Sequence, residues 1–216
     1  MNMRIAGKGT IPAGEYEKVS ISGSGRLFGE VHCNNFSAAG TSKGESITCA
    51  ERFKVSGASS FSGQVKAQNV RAAGSFSCGG DLVAEDELSV SGSLRVGGDV
   101  QAKSVRIAGG LQCGGTLCAE SAELQADKQM SLAGIKGGSI RVRRKTVSIF
   151  LKRRTTVTEM IEGDALDLEY VTAPRVTGRT VIIGKGCEID LVQYSERVEI
   201  SPKATVGKVK KIEQAE

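Results

Sequence analysis

The sequence has no tryptophan, one histidine, three prolines and three tyrosines in 216 residues, and aromatic residues make up only 4% of it. So few aromatic side chains disfavour nucleic acid as a partner, because single-stranded binding relies on base stacking. No apolar run approaches the length of about eighteen residues that a membrane-spanning helix needs. The first residues show no apolar core followed by a cleavage site, the pattern of a secretory signal. We therefore expect a cytoplasmic protein that meets a membrane only peripherally.

The six cysteines do not form a metal-binding pattern. No Cys-x-x-Cys motif occurs, and the close pair Cys113 and Cys118 has no histidine nearby. A zinc site is therefore not expected, and in a reducing compartment the cysteines are predicted to be buried free thiols. The single histidine, His32, neighbours the inward-facing Cys33 on a strand, so it is predicted to point into solvent. Cys78 and Cys113 are also placed inward, whereas Cys49, Cys118 and Cys187 are less clearly placed.

Two short motifs suggest catalysis or nucleotide binding, but neither has the required context. The stretch from Gly40 to Gly44 reads Gly-x-Ser-x-Gly around Ser42, yet a nucleophile elbow needs a strand-to-helix turn and a histidine partner. The stretch from Gly178 to Gly186 has one residue too many for a phosphate loop and no hydroxyl after Lys185. We predict no catalytic residue, no metal site and no cofactor.

What the sequence does contain is a glycine repeat. Six glycines recur at a nearly constant interval of seventeen, with one interval of eighteen: Gly23, Gly40, Gly57, Gly74, Gly92 and Gly109. Ala126 continues the series at the same interval after Gly109. A fixed period of this length indicates a solenoid in which each repeat is one coil.

Within each repeat, apolar or small residues recur two apart, in pairs near positions 2 and 4, 8 and 10, and 13 and 15 after the glycine. A spacing of two is typical of a strand with alternate side chains on one face. Three short strands cannot enclose a core alone, so the coils must stack with parallel strands. The pattern predicts a three-sided, right-handed parallel β-helix, the handedness following the general preference of parallel crossovers.

Two repeats depart from the pattern. In the second, Ile47 and Cys49 compete with the expected inward residues Thr48 and Ala50, and a local bulge is predicted there. The fourth holds one extra residue, which we place near Glu85 to Glu87 as a wider corner.

A basic segment interrupts the repeats in the middle of the chain. Residues 141–154 carry seven positive charges and no negative one, whereas the whole chain has a net charge of +5. The basic character is therefore local. We predict a β-helix block over residues 1–138, a basic β excursion over 139–162, and further β-helix coils with a charged tail over 163–216, where the interval of seventeen returns.

The basic segment has two interpretations: a solvated strand edge guarded by charge, or a surface that docks on anionic lipid. In the second interpretation Ile149, Phe150 and Leu151 insert beside the cations. The cations are Arg141, Arg143, Arg144, Lys145, Lys152, Arg153 and Arg154.

The ends of a β-helix carry unpaired backbone groups that must be capped or joined to another copy. End-to-end self-association is therefore the activity closest to this architecture. We place the interface on the last regular coil, while nearby lysines limit unrestricted growth. Its predicted residues are Val198, Ile200, Val206 and Val209.

The stretch 92–109, Gly-Ser-Leu-Arg-Val-Gly-Gly-Asp-Val-Gln-Ala-Lys-Ser-Val-Arg-Ile-Ala-Gly, resembles the repeat of bactofilin-like, polymer-forming cytoskeletal proteins. Residues 162–169 and 181–194 are similar to a longer, two-part subgroup of that family. The resemblance implies a right-handed three-sided β-helix and a non-enzymatic bacterial scaffold that assembles without nucleotide. It also implies roles in cell shape, envelope or motility.

Two alternatives remain open from the sequence. One is a peripheral membrane adaptor that uses residues 141–154. The other is an acyltransferase-like β-helix enzyme, which would place His32 in a pocket between neighbouring molecules. Enzymes of that class build each coil from a hexapeptide rhythm, which this chain does not follow.

Overall fold

A computed structural model describes residues 1–144 and 154–213, and this part of the chain is built from β-strands without a helix. The strands follow one another with short corners between them. They are β1 (Asn2–Ile11), β2 (Gly14–Leu27), β3 (Glu30–Gly44), β4 (Ser46–Phe61), β5 (Val65–Cys78), β6 (Leu82–Val96), β7 (Val100–Cys113), β8 (Thr116–Arg144), β9 (Thr155–Leu168), β10 (Val171–Ile183), β11 (Glu188–Ile200) and β12 (Thr205–Lys211).

The chain divides into two compact units, Met1–Lys103 and Ser104–Glu216. In the first unit, β1 to β6 pair in parallel in sequence order, and in the second unit β8 to β12 do the same. Partners lie about one repeat apart, as in Gly40 opposite Gly57, except between β8 and β9, where Met130 pairs with Thr155 across the basic segment. Each unit is therefore a β-solenoid whose coil length matches the glycine interval, as the sequence predicts. The handedness of the coil stays a prediction.

Each regular coil has three pairs of buried positions, which is what three short faces around one interior produce. In the coil that contains β5 they are Val65 and Ala67, Val70 and Ala72, and Phe76 and Cys78. Side chains between these positions are half-buried or exposed. The predicted pairs two residues apart are thus confirmed for this coil.

The second repeat departs from the inward columns. Ile47 and Cys49 are buried at 1% and 3% exposure, whereas Thr48 is half-buried and Ala50 is exposed. The expected inward placement of Thr48 and Ala50 was therefore wrong, because the inward positions of β4 begin at Ile47, one residue earlier in the repeat than expected. The ladder recovers through register shifts on both sides of the strand, at Cys33/Asn35 and Cys49/Arg52, which confirms the predicted bulge.

The extra residue of the fourth repeat lies where it was expected. Ala67 pairs with Ala84 at the usual interval, but Asn69 pairs with Glu87, one position further on. The register shift lies between these pairs, at the residues before Glu87. The corner takes up the additional residue, and the inward columns on both sides keep their spacing.

The repeated glycines form a ladder that only glycine can occupy. Gly57 has φ +115°, and a Cβ built on it would lie 2.3 Å from the carbonyl oxygen of Gly40 in the preceding coil. Both the left-handed backbone and the close approach exclude a side chain. The same holds one coil on, at Gly74 against Gly57. The glycine interval is thus the separation in sequence between stacked backbone contacts.

Four of the six phenylalanines cluster in the core of the first unit. Phe36 and Phe53 stack in adjacent coils with ring centroids 5.0 Å apart. Phe61 and Phe76 contact the ring of Phe53 at 5.6 and 5.3 Å. All four rings are at most 2% exposed, so together they form the bulky part of the first unit's core.

The described residues on either side of the basic segment lie in coils of the second unit. Strand β8 continues to Arg144, and β9 begins at Thr155 and pairs with it in parallel. Residues 145–153 lie outside the described part of the chain. The boundaries predicted at 138/139 and 162/163 stay a prediction.

Candidate functional site

The predicted assembly residues belong to the last coil of the second unit. Val198 and Ile200 lie at the end of β11, and Val206 and Val209 lie in β12. Each continues an inward column of the coil before it, because each pairs with an apolar residue one coil back. These partners are Val181, Ile183, Ile189 and Val192, in the same order.

Burial changes abruptly along these columns. Ile183 is 1% exposed and Val192 is fully buried, whereas Ile200 and Val209 above them are 38% and 47% exposed. Val198 and Val206 are half-buried. The four residues thus form an apolar surface, which we call the end surface, at the place where another coil would continue the core.

Strand β12 also presents a backbone edge. On one side its backbone is hydrogen-bonded to the preceding coil. For example, the backbone N–H of Thr205 donates to the carbonyl oxygen of Cys187 at 2.8 Å. Within the described residues β12 pairs in the sheet with β11 alone. A parallel strand carries donors and acceptors on both sides, so the opposite edge can accept a further strand.

Tyr194 is an end residue that the sequence did not single out. Its register partners in the two preceding coils are Gly178 and Gly163, so a half-buried aromatic ring replaces glycine in one column of the last coils. An alignment of the last repeats would have shown Tyr194 in the position that Gly163 and Gly178 hold in the two coils before it. Tyrosine is enriched among residues that dominate binding energies at protein interfaces.

Four lysines surround the end surface: Lys203, Lys208, Lys210 and Lys211, all of them exposed. They lie on β12 and on the corner before it. Exposed cations next to a sheet edge oppose uncontrolled edge-to-edge pairing. The end surface therefore combines an apolar centre with a basic border.

The first coil of the first unit differs from the last coil of the second in the burial of its inward residues. Ile5 and Ile11 are 7% and 0% exposed, although they belong to the outermost strand, β1. Tyr16 follows at an inward register position opposite Cys33, and its hydroxyl donates to the carbonyl of Pro12 at 3.0 Å. Ile5 and Ile11 are thus covered within the unit, in contrast to Ile200 and Val209 of the end surface, although Met1 is exposed.

The described arginines of the basic segment face acidic partners. Arg143 forms ion pairs with Asp167 and, at 3.5 Å, with Glu169, while Arg141 approaches Asp167 at 3.6 Å. These pairs join the end of β8 to the end of β9. The cations on this strand end are therefore neutralised by the next coil to a large extent.

Arg144 and Arg154 are also engaged. The guanidinium of Arg144 lies 4.8 Å from the centre of the Tyr170 ring, a cation–π distance. Arg154 forms an ion pair with Glu188, and this hydrogen bond raises the pKa of its guanidinium. Lys145, Lys152 and Arg153, like the apolar stretch 149–151, lie outside the described residues. Docking on anionic lipid through this segment stays a prediction.

His32 lies on the outer side of β3, as predicted. Its side chain is 49% exposed, and Nε2 lies 3.4 Å from a carboxylate oxygen of Glu30. Across residues 1–144 and 154–213 there is no group of three or more metal-ligating side chains. In the same part of the chain no helix is long and apolar enough to cross a membrane. Five cysteines are buried and Cys118 is half-buried, all as free thiols.

Part of the chain is similar to known proteins. Residues 45–119 match the family model for bactofilin, described as polymer-forming cytoskeletal. The chain is 33% identical over 78 residues to "Uncharacterized protein YhbF" of Bacillus subtilis (strain 168), which is 36% of this chain and 33% of that protein. It is 44% identical over 48 residues to "Uncharacterized protein YhbE" of the same organism, which is 22% of this chain and 20% of that protein.

These matches span a third or less of the two Bacillus proteins. No solved structure matches the chain significantly. The family match covers coils of β4 to β8, in which the glycine ladder is regular. It confirms the resemblance to the bactofilin family that the repeat suggested, whereas the likeness to a longer, two-part subgroup stays a prediction. The end surface lies outside the matched residues.

Proposed function

We propose that this chain, whose residues 45–119 match a polymer-forming cytoskeletal family, is a non-enzymatic scaffold that associates with further copies of itself through the end surface. One observation carries the proposal. The inward columns stay fully buried up to Ile183 and Val192 and then end on Ile200 and Val209, which are 38% and 47% exposed.

The physical reason is that a second copy can supply both things that the last coil needs. Its apolar side chains would cover Ile200 and Val209, which are 38% and 47% exposed, so each would gain less than half of the roughly 1.5 to 3 kcal/mol that burial from full exposure contributes. Its backbone would also pair with the open edge of β12. Both gains are available only to a partner with a matching strand spacing, which another coil of the same protein has.

Assembly of this kind needs no nucleotide, since it uses strand pairing and apolar burial alone. The Gly-x-Ser-x-Gly stretch lies within β3, where Ser42 is fully buried and shares a hydrogen bond with Ser59. The stretch from Gly178 to Gly186 runs from the end of β10 into the corner after it. By its likeness to the bactofilin family, the assembled scaffold would support cell shape, the envelope or motility. We place it in the cytoplasm, with the membrane as an additional surface.

The lysine border sets a condition on assembly. Where two end surfaces meet, Lys208, Lys210 and Lys211 of each copy come close to those of the other, and like charges repel. Salt screens this repulsion over about 10 Å at 0.1 M. Association through the end surface is therefore expected to strengthen as the salt concentration rises, as does apolar burial.

The proposal is tested by the assembly state of the purified full chain. Sedimentation velocity and negative-stain electron microscopy across protein concentration and ionic strength, with and without ATP or GTP, should show oligomers or filaments. Their amount should rise with protein concentration and salt and be unchanged by nucleotide. A monomer throughout that range would overturn self-association, and assembly that requires nucleotide would overturn its nucleotide independence.

The peripheral membrane adaptor remains the alternative. It depends on the basic segment, and the described arginines there already face Asp167, Glu169, Tyr170 and Glu188. Of these arginines Arg141 is 60% exposed, and the other cations of the segment, Lys145, Lys152 and Arg153, lie outside the described residues. Flotation of the protein with anionic vesicles distinguishes this alternative from assembly in solution.

A further inference from the structure

Cys33 and Cys49 meet inside the first unit. Cys33 lies in β3 and Cys49 in β4, and the two are direct register partners in adjacent parallel strands. Both side chains point inward and are 5% and 3% exposed. Their sulfur atoms are 3.4 Å apart.

This arrangement is close to the geometry of a disulfide. Neighbouring strands in a sheet are spaced by about 4.8 Å, and the Cα atoms of disulfide-bonded cysteines are usually about 4.4 to 6.8 Å apart. An S–S bond of about 2.0 Å would require the sulfur atoms to approach by about 1.4 Å. Small side-chain rotations provide this, because register places both Cβ atoms on the same side of the sheet.

The contact between the two thiols affects their pKa values in opposite directions. The thiols share a hydrogen bond, and the hydrogen bond from Cys49 lowers the pKa of Cys33. The same bond, together with burial, raises the pKa of Cys49. The thiolate is the reactive form of cysteine, so Cys33 is the better nucleophile and Cys49 is placed to resolve its oxidation product.

We propose that Cys33 and Cys49 form a reversible disulfide between neighbouring coils when the protein meets a peroxide. The Cys33 thiolate attacks one peroxide oxygen, the O–O bond breaks, and Cys33 becomes a sulfenic acid while hydroxide leaves. The Cys49 thiol then attacks the sulfenic sulfur, the S–S bond forms, and its proton leaves with the hydroxyl as water. The two thiols lose two electrons in total, which reduce the peroxide to two waters.

A small oxidant reaches this buried pair only when the coil opens locally, and the backbone pairing is interrupted beside both cysteines. The ladder between β3 and β4 shifts register directly after Cys33, between Cys33 and Asn35, and shifts again after Cys49 in the next ladder. Regions with interrupted pairing open more readily than regular ladders. Hydrogen peroxide is small enough to use such an opening without unfolding the core.

The pair is separate from the end surface, since it lies in the first unit and the end surface lies in the second. A bond between register partners joins one coil to the next and closes a loop of about one repeat. Such a bond restricts the unfolded chain and so stabilises the folded unit. The proposal therefore adds a modification site and does not depend on self-association.

Peptide mapping tests the proposal. Folded full-length protein is treated with hydrogen peroxide, its remaining thiols are blocked under denaturing conditions, and it is digested with trypsin. Cleavage after Arg26, Lys43 and Arg52 separates the two cysteines into peptides 27–43 and 44–52, each with one cysteine. The expected product is these two peptides joined, two hydrogens lighter than their sum, and separated again by dithiothreitol.

The matched control is Cys78→Ser. Cys78 is also buried, but its thiol contacts carbonyl oxygens of Gly63 and Asp81, so this variant should keep the cross-link. Cys33→Ser and Cys49→Ser should each abolish it. Protein unfolded in guanidinium before oxidation should instead give mixed pairs among the six cysteines.

Thermal unfolding supplies a second readout on the wild-type chain. The oxidised protein should unfold at a midpoint about 5 to 10 °C above the reduced protein. The proposal is overturned if peroxide leaves both thiols of the folded chain unreacted, or if it converts them separately to sulfinic acids. A cross-link that is no more frequent than other cysteine pairs, or that lowers the midpoint, also overturns it.

Discussion

Ile200 lies one coil above Ile183 in the same inward column. Ile183 is 1% exposed and Ile200 is 38% exposed, so the same residue type passes from core to surface in a single step along the solenoid. The outer face of the same strand offers a comparison, because Ile182, beside Ile183, is 37% exposed. Ile182 and Ile200 are thus almost equally exposed, but Ile182 lies on the outer face of its strand and Ile200 lies in an inward column.

This difference predicts the outcome of a matched pair of substitutions. Ile200→Asp should abolish self-association, because it puts a charge at the centre of the end surface, where a buried unpaired charge is costly. Ile182→Asp should leave association within about twofold of wild type. Sedimentation velocity at several protein concentrations measures both, with circular dichroism melts to verify folding. Equal effects of the two substitutions, or none from either, would contradict the proposed interface.

The glycine ladder predicts a second pair of effects. Gly57→Ala should destabilise the first unit by about 3 kcal/mol or more, since its Cβ would meet the Gly40 carbonyl oxygen at 2.3 Å and its φ is +115°. Gly7→Ala is the control, because its φ is +91° but nothing lies within 4 Å of the new Cβ. Its cost should be about 1 to 2 kcal/mol, from backbone strain alone. Urea unfolding measures both, and equal losses would refute the contact between coils as the cause.

Arg143 is predicted to stabilise the folded protein. Arg143→Ala should lower the free energy of unfolding by about 1 kcal/mol, because it removes ion pairs to Asp167 and Glu169 near the surface. Arg141→Ala should cost less, since its side chain is 60% exposed and reaches Asp167 at 3.6 Å. Denaturant unfolding gives the energies, and flotation with anionic vesicles gives lipid binding. A loss of flotation by Arg143→Ala without a loss of stability would favour the membrane adaptor.

Cys78 predicts a stability change in alkaline solution. Burial raises the pKa of its thiol from 9.0 to about 11, so the folded state holds this proton more tightly than the unfolded state. Its contribution is fully present below pH 9 and is lost as pH rises towards 11, at up to about 1.4 kcal/mol per pH unit. Cys78→Ala should make the unfolding free energy fall less steeply between pH 9 and 11. An identical slope in both proteins would show that the thiol stays protonated, or ionises, equally in both states.

Much of the fold followed from the sequence, because the coil is defined by local patterns. Glycine at an interval of seventeen and apolar pairs two apart specify a strand, a corner and a stack without any long-range information. The extra residue near Glu87 and the bulge next to Cys49 were both visible as breaks in that pattern. The prediction that Thr48 and Ala50 face inward failed, because a shift of one residue exchanges the inner and outer faces of a strand.

The candidate site was less accessible to sequence reasoning. The last coil could be located, since its apolar positions continue the earlier columns, but the degree of exposure of Ile200 and Val209 depends on what covers them. The ion pairs of Arg141 and Arg143 were hidden as well, because Asp167 and Glu169 lie more than twenty positions away in the chain. A run of cations looks unpaired until the next coil is placed beside it.

The sequence by itself determined the length of the coil, the inward pairs of the regular repeats and the glycine interval, because each of these patterns is written within one repeat. Only the tertiary structure decided what the coils bring together. Stacking places Cys33 against Cys49, Arg143 against Asp167, and Val209 on Val192 with its outer side open. These relationships arise between coils, where register and coverage are set by the whole stack.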